Sequence, residues 1–130
     1  MQEDKQLPLL TLAEFFDGNV EEESIAPNQW GDGRPSLAEM WAKLCGIEAR
    51  PDVAWMRVQL HPDTTEDEIA GDAIAICTSA SRGEIARALD TEWFCSDGII
   101  EGWGTYKKEI LADDIPAVPD GYRVVSLVWD

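Results

Sequence analysis

Along VAWMRVQL, residues 53–60, apolar and polar side chains alternate, placing Ala54, Met56, Val58 and Leu60 on one face of a strand and Val53, Trp55, Arg57 and Gln59 on the other. The pattern predicts a strand with one face in the core and the other half exposed. Residues 73–77, AIAIC, are apolar at every position, which predicts a central strand covered on both sides. Residues 122–129, YRVVSLVW, follow the turn signal Pro119-Asp120-Gly121 and predict a further strand.

Helices are announced by their first turns. Thr11 with Glu14, Ser36 with Glu39, Thr65 with Glu68 and Ser81 with Glu84 each fit the S/T-x-x-E capping box, in which hydroxyl and carboxylate satisfy backbone N–H groups that the helix leaves orphaned. Leu37, Met40, Trp41, Leu44 and Cys45 then recur at helical spacing on one apolar face, with Trp41 expected in the core and Gly46 and Pro51 expected to stop the helix. Ile85 and Leu89 anchor the helix expected over residues 82–89.

This order predicts an α+β fold: a single domain, residues 1–130, with a mixed three- to five-stranded sheet and helices packed on it. A chain of 130 residues is long enough to bury one hydrophobic core. If strands 73–77 and 122–129 pair in parallel, the helix at 82–89 is a right-handed crossover between them.

Charge narrows the partners. With 26 acids against 10 bases the net charge is −16, enough to repel nucleic acid and anionic lipid and to attract a basic protein. The start, MQEDKQLPLL, lacks the basic and apolar regions of a secretion signal, and no apolar run approaches the roughly 20 residues of a membrane span. A cytoplasmic location is expected. The cysteines, Cys45, Cys77 and Cys95, are odd in number and far apart, which argues against disulfides and zinc; Cys45 and Cys77 are expected to be small buried hydrophobes, while acidic neighbours disfavour a thiolate at Cys95.

Candidate chemistry is thin. His61, the single histidine, stands beside Asp63 at a strand end, but no nucleophile elbow accompanies it. Residues 63–72, DTTEDEIAGD, hold five carboxylates, yet Glu68 occupies the place of the glycine in a calcium loop. The glycines of residues 31–33 and 102–104 complete no phosphate or dinucleotide fingerprint. No catalytic residue, metal site or cofactor is therefore assigned. Glu92 or Glu101 with Asp97 would suit a glycosidase-like carboxylate pair flanked by tryptophan, so a small hydrolase or ligand-binding protein with an aromatic-lined pocket stands as the alternative.

Acids and aromatics coincide in two places. Asp17, Glu21, Glu22 and Glu23 lead to Trp30, and the strip TEWFCSDGIIEGW, residues 91–103, gathers Glu92, Trp93, Asp97, Glu101 and Trp103. Rings that supply desolvated area beside carboxylates that meet Arg and Lys suit the docking of a basic protein. The competing reading places Trp93 and Trp103 in the core with their acidic neighbours in water.

The opening LAEFFDGN (12–19), the RPDV of 50–53 before a strand and the closing GYRVVSLVWD (121–130) together resemble a group of short, acidic, uncharacterised bacterial cytosolic proteins. In size and acidity the chain is also similar to small immunity proteins that neutralise bacterial toxins. That resemblance implies a non-enzymatic binding module, an immunity-type inhibitor covering the basic active site of a toxin such as a nuclease.

Overall fold

The computed structural model describes residues 9–19, 35–60, 71–94, 96, 98–102 and 116–129. Their elements run β1 (Leu9–Leu10), α1 (Leu12–Phe16), α2 (Leu37–Glu48), β2 (Val53–Leu60), β3 (Gly71–Thr78), α3 (Arg82–Leu89), β4 (Gly98–Glu101) and β5 (Arg123–Val128).

All three helices begin as their sequences predict. Thr11, Ser36 and Ser81 each accept the N–H of Glu14, Glu39 or Glu84, whose carboxylate returns to the cap N–H. The box expected at Thr65 and Glu68 lies outside the described residues. Three acids thus have a local structural task. Gly46 does not end α2; the helix runs through it and closes at Ala49, because a glycine costs a helix interior only about 1 kcal/mol, less than the apolar anchor that Ile47 adds beyond it.

The five strands form one sheet in the order β1-β2-β3-β5-β4, and each pairing is antiparallel. The α+β fold therefore stands with five strands, while the parallel pairing of 73–77 with 122–129 does not: Ile74 faces Leu127 and Ile76 faces Val125 in antiparallel register. After α3 the chain turns back into β4, whose pairing no pattern in the sequence predicts, and β5 is inserted between β3 and β4.

The three described helices cover one face of the sheet. Met56 and Val58 of β2, Ile74 and Ile76 of β3, and Val125 and Leu127 of β5 form rows that pack with Leu12, Phe15, Phe16, Met40, Leu44, Ile85 and Leu89. Phe15 sits so close over β3 that a Cβ on Gly71 would lie 3.1 Å from its ring, so the glycine makes room for α1. Ala54 departs from its expected place beside Met56: a register shift between Val53 and Trp55 turns Val53 into the core and leaves Ala54 exposed.

The opposite face is also largely buried, contrary to the half-exposed face expected for β2. Trp55, Ala75 and Cys77 form a small second cluster, with Tyr122 and Val124 against it. Beside it Gln59 and Ser126, both fully buried, are joined by a 3.0 Å hydrogen bond from the Gln59 amide, and the Ser126 hydroxyl donates onward to the Gly102 carbonyl at 2.7 Å. Residues 73–77 are buried on both faces, as a central strand requires.

Candidate functional site

The strip at 91–103 is built from three kinds of position. Asp90 closes α3 in the left-handed conformation (φ 62°), and its carbonyl accepts the N–H groups of Trp93 and Phe94 at 2.9 and 3.4 Å. The Ser96 hydroxyl donates to Thr91 O at 2.9 Å and receives the N–H of Gly98 at 3.3 Å, which turns the chain into the edge strand β4. Phe94 points inward and is fully buried; its ring meets Trp93 edge-on at 4.9 Å, and its carbonyl accepts the Trp129 indole N–H at 3.0 Å.

Trp93 is half buried at the rim of the helix-side core, with the Lys43 ammonium 4.9 Å from its ring centroid. Glu92 faces solvent beside it. On β4, Ile99 packs toward the helices, while Ile100 turns to the other side and is 37% exposed. Glu101 is largely exposed and receives Arg123 at 3.2 and 3.4 Å. The same guanidinium donates to Ala80 O at 2.6 Å and Thr78 O at 3.3 Å, tying the edge strand to the turn that starts α3.

The expected site residues therefore divide. Asp17 caps the end of α1, which packs on β1, β2 and α2, whereas Glu92, Trp93 and Glu101 belong to the opposite margin, where α3 meets β4. The acids of α1 and of the strip do not share one centre. Glu21, Glu22, Glu23, Trp30, Asp97 and Trp103 lie outside the described residues, as do His61 and Cys95. Arg123, Gln59 and Ser126, which hold the strip's end in place, carry no motif; a lone arginine opening a strand and two polar residues within apolar strands are the only signals in the sequence.

Cys45 is exposed rather than buried, because Leu37, Met40, Leu44 and Ile47 form the inward line of α2 and the next residue along turns outward. Partial burial and the Glu48 carboxylate still push its thiol up, so it is a poor nucleophile. Cys77 is buried as expected, and burial raises its thiol likewise. Trp41 also sits at the rim, half buried and stacked on Phe16 at 6.1 Å. Beyond the strip, Arg50 grips Asp52 through two bonds of 2.9 and 3.0 Å, and this hydrogen-bonded pair holds the Asp52 carboxyl below the usual carboxylate range. Among the described residues no three His, Cys, Asp or Glu side chains gather as a metal site, and no helix is long and apolar enough to cross a membrane.

A family model matches residues 1–127. The chain belongs to the uncharacterized protein YfbO family. No curated protein and no solved structure matches it. YfbO-family membership agrees with the resemblance to uncharacterised bacterial proteins; the likeness to immunity proteins has no counterpart among these matches.

Proposed function

We propose that this YfbO-family chain is a non-enzymatic, acidic module that binds a basic protein. One observation carries the reading: 26 acids against 10 bases leave the chain with a net charge of −16. An acid excess of that size on an α+β scaffold sets up a field that speeds encounter with a basic surface.

Leu60 and Gly71 pair with each other at the end of the sheet that also holds Leu9 and Val128. In sequence, residues 1–8 and 61–70, next to Leu9, Leu60 and Gly71, hold Glu3, Asp4, Asp63, Glu66, Asp67 and Glu68 against Lys5. At the other end Arg50 and Arg123 are paired with Asp52 and Glu101. The hydrolase alternative has less behind it, since Glu101 is engaged by Arg123 and Trp93 lies under Lys43. In its finest form the proposal is an immunity-type inhibitor that covers the basic active site of a toxin such as a nuclease.

The test is association kinetics. The untagged protein is isolated from its native cells, the bound protein identified, and the purified pair mixed over a range of salt. A basic partner whose association rate falls steeply with ionic strength, and falls again on Glu66→Gln/Asp67→Asn/Glu68→Gln, agrees with the reading. A salt-insensitive rate rejects it.

A further inference from the structure

Among the described strands, β4 closes one end of the sheet, with β5 on one side of it and no strand on the other. Its ladder with β5 fixes which groups face outward. Gly102 N–H donates to Val124 O at 2.8 Å, and continuing that antiparallel register makes Ile100 with Ser126 and Gly98 with Val128 the hydrogen-bonded pairs. Ile99 and Glu101, one step out of phase, therefore turn their N–H and C=O groups away from β5. Side chains alternate too: Ile99 packs toward the helices and Glu101 shares its side, while Ile100 points the other way and is 37% exposed, one of two large apolar side chains exposed among the described residues. Within β4, GIIE, there is neither lysine nor proline, and its ladder has no register shift, so those devices do not blunt the edge. At the opposite end of the described sheet β1 is only two residues long.

Resting on the reading that the chain binds a basic protein, we propose that this partner docks on the outer edge of β4 by adding an extended segment to the sheet. Main-chain hydrogen bonds with Ile99 and Glu101 hold the segment whatever its sequence, and side chains decide which segment fits. Glu101 supplies the charge. Its side chain is 53% exposed, and Arg123 donates one bond to each of its oxygens, at 3.2 and 3.4 Å, which leaves further acceptor positions on both. A lysine or arginine across from Glu101 meets that carboxylate, and the next residue of the added strand falls on the side of Ile100. The fitting segment thus alternates basic and apolar residues. Asp90 and Glu92, exposed ahead of β4, extend the acidic margin that faces it.

The probe is the basic protein recovered with the untagged chain, and the readout is amide exchange resolved by residue in the full chain, free and bound. In the free protein Ile99 and Glu101 are expected to exchange fast and Ile100 slowly; in the complex all three are expected to be slow. Slow exchange at Ile99 and Glu101 in the free protein overturns the proposal, because the edge is then already covered, by a second copy if dilution restores fast exchange and by the chain itself if it does not. Two substitutions isolate the main-chain bond. Glu101→Pro and Glu101→Ala both remove the carboxylate, but only proline removes the outward N–H, a change an edge strand tolerates. Proline is expected to weaken binding roughly tenfold more than alanine. Equal weakening overturns the proposal; should Glu101→Pro fail to fold, exchange at Ile99 and Glu101 in the parent complex decides. A salt-dependent complex in which those two amides stay fast rejects the edge and leaves the acidic-module reading standing, whereas a salt-insensitive complex, or no basic partner, rejects both.

Discussion

The two faces of the sheet are made from alternate residues of the same strands, yet they are held by different means. On the helix side Met56, Val58, Ile74, Ile76, Val125 and Leu127 present large aliphatic side chains to three amphipathic helices. On the far side β3 offers only Ala73, Ala75 and Cys77, and its neighbours supply an indole, an amide and a hydroxyl whose hydrogen bonds reach Ala117 and Gly102. Dispersion and hydrophobic burial dominate the first face, and they tolerate small shifts. On the second, the described contacts to the rest of the chain are hydrogen bonds, from Trp55 to Ala117 O and from Ser126 to Gly102 O, whose strength depends on geometry.

Substitutions break this contrast in order of size. Phe94→Ala on the helix side empties a fully buried ring site and should cost about 3–5 kcal/mol, read from chemical denaturation. Ser126→Ala on the far side removes an acceptor from Gln59 and the donor to Gly102; we expect a loss of about 1–3 kcal/mol, with hydrogen exchange rising around residues 98–102 rather than in α2. Ser81→Ala takes the cap from α3 and should cost about 1 kcal/mol in thermal or denaturant melts. Ile100→Ala, at an exposed site on the edge strand, should stay within about 0.5 kcal/mol; a larger loss means that this side chain has a partner in solution.

The smallest effect is one of pH. Asp52 is held below its usual range by Arg50, so its contribution is complete at neutral pH and is lost as pH falls through that lowered value. Asp52→Asn should therefore be slightly less stable than the parent at neutral pH, and the two stability curves should converge in acid, below about pH 4. Curves that stay parallel into acid would show that the pair contributes nothing through its charge.

Local chemistry explains what the sequence made legible. The three described capping boxes, the strand at 53–60 and the doubly buried run at 73–77 depend on residues within a few positions of one another, and all are where the pattern puts them. The parallel pairing failed because a strand's partner and direction are decided by chain that lies elsewhere: β4, a four-residue strand with glycine at its start, leaves too weak a pattern to reveal that α3 leads to the edge. Within the strip, adjacent residues take opposite fates. Phe94 is core, Trp93 is rim and Glu92 is solvent, a division set by the turn after Asp90 and not by composition. The burial of Trp55 and Gln59 likewise depends on Ala117, Ser126 and Gly102, which are far away in the chain.

The insertion of β5 between β3 and β4 sets a schedule for synthesis. β2 and β3 leave the ribosome in succession and can pair at once, but one side of β3 has no partner until residues 123–128 have been made. Meanwhile a nascent chain carries an open strand edge, Ala73 to Cys77, apolar on both faces, beside the three described helices. Such an edge invites pairing with other chains. Stalling or truncation before β5 should therefore yield a species prone to pair with other chains, and supplying residues 123–128 should close that edge.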